Sequence, residues 1–277
     1  MIAMALVVNS NIASLNSQRA LNNSTNALTT NFERLSSGKR INSAKDDAAG
    51  LQISARLTSQ INGLNQATRN ANDGISLAQT AEGALDEYTN ALQRMRTLSI
   101  QSANGSNSTA DRTALDSEFQ ELSSELTRIS DQASFGGENL LNGTYTGKDF
   151  QIGADGGQVI RLSIPTDFNA TSMLSAATTT ISTIARATSA VGLIDSALAK
   201  VNGTRADLGA KQNRFSSIVR SNDNTAQNLS ASRSRVMDTD YAAESASLAK
   251  SSVLQQAASS MLAQANQQPQ IALSLLQ

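Results

Sequence analysis

The chain has 277 residues and a formal net charge of −1, from 22 Lys and Arg against 23 Asp and Glu, and it contains no Cys, His or Trp. This composition excludes disulfides, zinc fingers, thiol nucleophiles and imidazole bases, so catalysis would depend on carboxylates, lysines or hydroxyl groups. The near-neutral charge offers no basic surface for nucleic acid or an anionic membrane. Three Tyr and six Phe favour helices packed through aliphatic and small side chains over a bulky core.

The N-terminus carries the longest apolar run, Met1 to Val8. It is far shorter than the roughly 20 residues that span a membrane, and no basic residue precedes it as in a signal peptide. We therefore expect no membrane insertion and no cleaved leader, which leaves open an export route that keeps the N-terminus intact.

The first half of the chain contains long rows of apolar and small residues that would lie along one side of a helix, here called seams. Apolar and small residues from Leu57 to Met95 alternate at spacings of four and three, the period of a coiled coil. The same spacing returns from Leu115 to Ala133 after a turn at residues 104–107. Residues 108–111 match a capping box at the start of this second run. These features predict a helical hairpin.

A stricter row follows in the second half. Its members lie seven apart: Ile194, Val201, Leu208, Phe215, Asn222, Leu229 and Val236. Asn222 is the polar member of the row. A single buried Asn in such a seam fixes register at some cost in stability, so we interpret Asn222 as a register residue and not as a ligand.

The middle of the chain predicts turns and a β-hairpin. Seven of the 16 glycines fall between Gly136 and Gly157. Apolar residues alternate on both sides of the turn at 155–157, which predicts a hairpin from Phe150 to Pro165. Residues 170–188, rich in Ala, Thr and Ser, are interpreted as a loop followed by a weak helix start.

Fainter seams lie at the two ends of the chain. The N-terminal one consists of Leu21, Thr25, Leu28, Phe32 and Leu35, and the C-terminal one consists of Leu254, Ala258, Met261 and Ala265. Both segments are rich in Asn, Gln, Ser and Ala, so neither has enough apolar surface to fold alone. We expect them to pack on each other and on neighbouring copies, and to become helical only on assembly.

Short motifs suggest chemistry that their surroundings do not support. Residues 143–149 imitate a phosphate loop but have three residues between the glycines where four are needed. Two Ser-x-x-Lys tetrapeptides lack the partner motifs of serine acyl enzymes. The pairs Asp46/Asp47 and Asp238/Asp240 are interpreted as helix starts, with Ser43 to Asp46 as a capping box, and not as acid/base or metal sites.

Long stretches at both ends resemble bacterial flagellins. Residues 4–16 (MALVVNSNIASLN) and 33–51 (ERLSSGKRINSAKDDAAGL) are similar to the flagellin N-terminus. Residues 234–242 (SRVMDTDYA) and 264–270 (QANQQPQ), with the final apolar stretch 273–276, are similar to its C-terminus. The resemblance covers nearly the whole chain, although flagellins usually begin at the residue matching Met4 and many carry variable outer domains that are missing here.

The resemblance implies a mainly α fold, a long coiled-coil-like bundle of paired N- and C-terminal segments with a small β-hairpin region at about 140–170. It implies an inner domain of residues 1–45 and 238–277 and an outer domain of residues 46–237. Self-assembly would involve the terminal residues Leu21, Leu28, Phe32, Leu35, Leu254, Met261, Leu262, Leu273 and Leu276.

The implied function is structural: many copies form the filament of the bacterial flagellum, outside the cell, without a cofactor or metal. An interface that does not close on itself generates such a polymer. Implied partners are other copies, an export chaperone and the flagellar secretion apparatus, and the hook–filament junction and cap proteins. The implied location is extracellular.

Two alternatives remain at this stage. A hook–filament junction protein resembles flagellin at both ends, but we expect a poorer match over residues 33–51. An enzyme on a helical scaffold is the other alternative, although roughly 50 residues between the two helical regions leave little room for a domain.

Residues 93–101 (QRMRTLSIQ) resemble the stretch that many flagellins present to the flagellin-sensing Toll-like receptor of vertebrates. The resemblance implies Arg94, Leu98 and Glu118 as receptor contacts. Arg94 and Leu98 are four residues apart, so we expect a cation and an apolar anchor on one helix face that is buried in the filament. The structural alternative is two solvated charges and a seam leucine.

We also expect the hairpin to face outward and contact adjacent subunits through Ile160, Leu162 and Ile164.

Overall fold

The computed structural model describes residues 10–174 and 180–274, with backbone alone from 270 to 274. In these ranges the chain forms helices α1 (Ile12–Ser37), α2 (Ala48–Ser102), α3 (Thr109–Gln132), α4 (Ala170–Leu174), α5 (Ile184–Met237) and α6 (Tyr241–Ser274). The strands are β1 (Ser134–Phe135), β2 (Glu138–Asn139), β3 (Lys148–Gln151) and β4 (Val159–Leu162). The predicted fold class, long helices with a small β region, is confirmed.

The chain divides into two compact units. Residues 1–59 and 228–277 form the terminal unit, and residues 60–227 form the middle unit. These limits fall within α2 and α5. The functional division at residues 45 and 238 stays a prediction.

In the terminal unit α1 packs antiparallel along α6. The Asn11 side-chain amide donates to the carbonyl of Ala265 at 2.6 Å near one end, and the Tyr241 hydroxyl donates to the carbonyl of Leu35 at 3.3 Å near the other. The predicted pairing of the two ends is therefore confirmed. In the described residues both segments are helical, and the expectation that they become helical only on assembly stays a prediction.

The link between α1 and α2 turns sharply at Gly38, whose φ of +68° a residue with a side chain rarely adopts. The Arg40 amide donates to the Met237 carbonyl at 2.6 Å and so ties this link to the end of α5. The predicted capping box at residues 43–46 is wrong. Asp46 accepts hydrogen bonds from the Asn42 and Ser43 amides within the turn, whereas Asp47 accepts from the Gly50 amide at 2.9 Å in the first turn of α2.

The middle unit has an apolar core along the predicted seams. Buried side chains of α2 from Leu77 to Leu98 meet those of α5 from Ala187 to Leu208, and Phe119 and Leu126 of α3 complete the cluster. Because the alternating spacing places these residues on one side of each helix, the three helices share one continuous core. The capping box at Ser108 and Asp111 is confirmed at the start of α3.

The predicted hairpin is confirmed as β3 and β4, which pair antiparallel from Lys148 opposite Leu162 to Gln151 opposite Val159. Its expected outward apolar face is wrong. Ile160, Leu162 and Ile164 are fully buried within this chain, because the hairpin lies against the helices of its own unit. Asn222 has the buried position predicted for it, where its side-chain amide donates to the Ile152 carbonyl at 3.0 Å.

Three elements were not predicted. Strands β1 and β2 flank Gly136 and Gly137, both with positive φ, as a two-residue hairpin turn requires. Each strand has two residues, too few for an alternating pattern. Helix α4 has five residues and lies in the stretch interpreted as a loop.

Candidate functional site

The terminal unit exposes many large apolar side chains. Val253 is 65% exposed, Met261 62% and Phe32 54%. The full set of exposed large apolar residues in this unit, among those that the structure describes, is Ile12, Leu15, Phe32, Ile53, Tyr241, Val253, Leu254 and Met261. Exposed apolar surface in excess on a folded protein marks an interaction surface.

Between α1 and α6, the buried positions among the described residues hold small or polar side chains, while the leucines of the α1 seam are only half-buried. The buried apolar residues of the terminal unit, in the ranges described, are Ile41, Ala258 and Ala265. Asn31 donates to Ser251 at 3.2 Å in the same contact, and both side chains are buried. Small residues at the buried positions let the two helices approach closely, and several larger apolar side chains stay exposed.

Arg34 and Glu244 also meet across this contact. Their closest charged atoms are 3.9 Å apart, and the Glu244 side chain is mostly buried. One oxygen of Glu244 and Nε of Arg34 are buried without a hydrogen-bond partner among the described residues. A buried pair with unsatisfied atoms contributes little net stability, so polar contacts do not make up for the thin apolar core.

The exposed apolar residues lie on more than one side of the helix pair. Ile12 and Leu15 are three apart and share a side of α1, whereas Phe32 is at a position about 200° further round the helix. Leu254 and Met261 are seven apart and share a side of α6. One partner cannot cover all of these sides, so the geometry suits contact with several neighbours.

The structure places most of the predicted self-assembly residues. Phe32, Leu254 and Met261 are exposed, while Leu21, Leu28, Leu35 and Leu262 are half-buried. Leu273 lies in α6, where only the backbone is described, and Leu276 lies outside the described residues. Sequence reasoning missed Ile12, Leu15 and Val253, which occupy positions off the seam. These three residues can be found from the sequence by listing the large apolar residues of each terminal segment that do not lie on its seam.

The three predicted receptor contacts do not form one surface. Arg94 and Glu118 are paired at 2.6 Å across α2 and α3 and are both about half exposed. Leu98 is 1% exposed and belongs to the core of the middle unit. The expected apolar anchor beside Arg94 is therefore wrong, because Leu98 continues the seam through Leu92 and Met95.

A shallow groove of about 550 Å³ between α2 and α3 is lined by Glu87, Asn90, Glu125 and Arg128, among others, and Arg128 is already paired with Glu125. Among the residues described, no group of three His, Cys, Asp or Glu could hold a metal ion. Within the same residues, no helix is both long and apolar enough to cross a bilayer.

Comparison with known families agrees with the paired terminal helices. Residues 8–146 match the bacterial flagellin N-terminal helical region, and residues 191–276 match the bacterial flagellin C-terminal helical region. The chain belongs to the bacterial flagellin family. As a member of this family it is a structural subunit of the flagellar filament, an extracellular appendage used for swimming motility.

Full-length relatives include flagellin D of Vibrio anguillarum, 41% identical over 376 residues, with 99% of this chain and all of the relative covered. Flagellin B of Vibrio cholerae serotype O1 is 39% identical over 375 residues with the same coverage. Both aligned lengths exceed the 277 residues of this flagellin, so these relatives contain residues that it lacks.

Among solved structures, Bacillus cereus flagellin is 29% identical with a TM-score of 0.50, covering 56% of this chain and 88% of that one. A Vibrio parahaemolyticus protein described as flagellar hook-associated reaches a TM-score of 0.59 at 15% identity, covering 70% of this flagellin and all of that protein. At this identity the second likeness shows a common fold alone.

Proposed function

We propose that copies of this flagellin assemble through the exposed apolar side chains of α1 and α6. The observation that carries the proposal is the contrast within the terminal unit, in which Ala258 and Ala265 are buried while Phe32, Val253 and Met261 face solvent. Large apolar side chains that stay exposed in one copy gain free energy when neighbouring copies cover them.

The expected energy per contact follows from the exposed fractions. Full burial of a large apolar side chain contributes about 1.5–3 kcal/mol, and Phe32 and Met261 each have just over half of their surface still to bury. Each would then add about 1–1.5 kcal/mol to subunit association. Since about 1.4 kcal/mol is tenfold in an equilibrium constant, losing one contact should raise the critical concentration for growth roughly five- to tenfold.

The test is seeded growth of Phe32→Ser and of Met261→Ser, with the critical concentration measured by sedimentation. The matched controls are Asn23→Ser on α1 and Gln256→Ser on α6, which change exposed polar residues of the same helices. Circular dichroism should show equal helix content in all four variants. Growth of both apolar variants at the control concentration would contradict the proposal.

Assembly should also protect the two ends. The thin core between α1 and α6 gives the pair low local stability in one copy, and contacts with neighbours would raise it. Protease added to monomer should remove residues near both ends before cutting residues 60–227, and filaments should resist. Equal rates of removal in monomer and filament would contradict this expectation.

The family membership supports further proposals on partners and location. We infer passage through the flagellar secretion apparatus with an export chaperone, for which a weakly stabilised terminal unit is suited because little free energy is needed to open it. Hook–filament junction and cap proteins would contact the two ends of the polymer. The role is structural, with no catalysis assigned to any residue.

Receptor recognition remains a proposal for Arg94 and Glu118. Their side chains are exposed on adjacent helices and could exchange their mutual ion pair for charges on a receptor. Arg94→Ala and Glu118→Ala monomers should lose signalling in a Toll-like receptor reporter assay. Arg128→Ala is the matched control, because it breaks the Arg128–Glu125 pair of similar exposure on α3. Equal signalling by Arg94→Ala and Arg128→Ala would contradict the proposal.

A further inference from the structure

Four Asn–Gly dipeptides occur in the chain, and the fold places them in three different environments. Residues 62–63 lie inside α2 and residues 202–203 lie inside α5. Residues 142–143 lie in a loop, and residues 104–105 lie in the turn between α2 and α3. An Asn followed by Gly can cyclise, because the next residue has no side chain to hinder attack of its amide nitrogen on the Asn side chain.

The turn at Asn104 is open to this reaction. Asn104 and Gly105 are both exposed, and no atom lies within 4 Å of the position that a Cβ of Gly105 would occupy. The Gly105 amide has no acceptor among the described residues, so its nitrogen is free to react. The Ser106 amide donates to Oδ1 of Asn104 at 3.2 Å, which polarises the carbonyl that is attacked; Asn142 has the same bond from the Thr144 amide at 3.1 Å, so the exposed backbone is what distinguishes Asn104.

In the other three dipeptides the backbone is restrained, which keeps the glycine amide from the preceding Asn side chain. In a helix the amide of Gly63 or Gly203 donates to the carbonyl four residues earlier, and the fixed backbone keeps it from the preceding side chain. Gly143 is half-buried with φ +76°, and its Cβ position lies 3.2 Å from Asp167. Asn142 also forms a β-bridge with Asp167, so this backbone is anchored on both sides.

We propose that Asn104 is a site of spontaneous deamidation in the folded protein. The Gly105 nitrogen bonds to Cγ of Asn104 and loses its proton, while the Cγ–Nδ2 bond breaks and ammonia leaves. Water then opens the resulting succinimide at one of its two carbonyls. The products are aspartate, or isoaspartate in which the main chain runs through the former side chain. Each conversion adds one negative charge, with no oxidant or cofactor involved.

The product changes the structure at the start of α3. Arg112 donates to the carbonyl of Ser102 at 3.0 Å and to that of Asn104 at 3.0 Å, and so holds both sides of the turn. In isoaspartate the former main-chain carbonyl of Asn104 becomes part of a free α-carboxylate, so the second acceptor of Arg112 changes from a neutral carbonyl to a charged group on an altered backbone. Because the modification accumulates with time, its extent should record the age of a subunit.

The test incubates the full-length chain in mildly alkaline buffer and follows each site by mass spectrometry after a short tryptic digestion. Trypsin places the four dipeptides on four separate peptides, and Asn104 lies on residues 97–112. We expect Asn104 to react at least roughly tenfold faster than Asn62 or Asn202, equivalent to about 1.4 kcal/mol of activation free energy. Methylation of the product by an isoaspartyl methyltransferase identifies isoaspartate.

Two controls separate the fold from the local sequence. The chain unfolded in urea should deamidate all four sites at similar rates. Gly105→Ala should slow the reaction at Asn104 several-fold without loss of helix content, because the added Cβ has open space and no positive φ to oppose it. Equal rates at Asn104 and Asn62 in the folded chain, a faster reaction at Asn142, or an unchanged rate in Gly105→Ala would overturn the proposal.

Discussion

Two glycines of the same helix should respond in opposite directions when each is replaced by alanine. Gly74 is buried in α2, and a Cβ added there would lie 2.8 Å from Cζ of Phe215 and 3.0 Å from its Cε2. Gly83 is exposed in the same helix, and a Cβ there would have nothing within 4 Å. Comparing the two substitutions therefore separates the effect of helix propensity on stability from the effect of core packing within α2.

Phe215 cannot easily move away from a new methyl group at position 74. Its ring is fully buried and lies edge-to-face with Phe150 of β3 at 5.7 Å between centroids. It also packs in one cluster with Ala71 and Ile160. A displaced ring would push on the hairpin, so the clash is relieved only by shifting several neighbours.

The magnitudes follow from these two environments. Gly→Ala in a helix interior gains about 1 kcal/mol at a site with open space, so Gly83→Ala should raise the free energy of unfolding by that amount. Gly74→Ala has the same gain but loses about 1–3 kcal/mol to overpacking. The difference between the two variants should therefore be about 1–3 kcal/mol, since the propensity gain cancels.

The assay is urea unfolding of the full-length monomer followed by circular dichroism, with the slope required to stay equal to that of the parent protein. A second variant tests the cause. Phe215→Leu should cost less in the Gly74→Ala background than alone, with a coupling of at least about 0.5 kcal/mol. Equal stabilisation by both alanines, or additive effects of Gly74→Ala and Phe215→Leu, would refute the packing argument.

Three further predictions concern the middle unit. Asn222→Ala should lower the free energy of unfolding by about 1–3 kcal/mol in thermal or urea unfolding, because it leaves the Ile152 carbonyl without its donor. Hydrogen bonds from Ser108 hold the pKa of Asp111 below its usual range, so this cap stabilises the fold above the ordinary carboxyl pKa and is lost as pH falls through the lowered value. Ser108→Ala should move that pKa upward in an NMR titration and lower stability by about 1 kcal/mol. Gly157→Val should cost about 1–3 kcal/mol, because the backbone has φ +87° there, and an unchanged melting temperature would contradict this reasoning.

The seams could be predicted from sequence because spacing alone determines which residues share a helix side. The row from Ile194 to Asn222 is buried as predicted, and the capping box depends only on the local sequence from Ser108 to Asp111. The same spacing does not show where a seam stops. Leu98 lies four residues from Arg94, at the edge between core and surface, and only the packed structure shows that it belongs to the core.

Other features depend on contacts distant in the chain. The alternating residues of β4 predict an apolar face, but whether that face is covered by the same copy or another depends on where the hairpin lies. Ile160 is covered by Ala71 and Phe215 of the same chain. The exposure of Ile12 and Val253 depends in the same way on which sides of α1 and α6 face each other. The sequence does not determine this, because both helices carry small and polar residues on most of their sides.

The two units differ in how far they bury their large apolar side chains, and this difference supports the proposed assembly through α1 and α6. The middle unit buries Leu, Ile, Met and Phe side chains in a continuous core and needs no neighbour to cover them. Among the described residues of the terminal unit, the buried positions of α1 and α6 are Ala or polar residues, whereas Phe32, Val253 and Met261 remain exposed. If α1 and α6 buried those side chains against each other, the monomer would be more stable and the gain from association would fall by the same amount. On the proposed assembly through α1 and α6, a thin core between the paired ends is therefore what leaves apolar surface for neighbouring copies to bury.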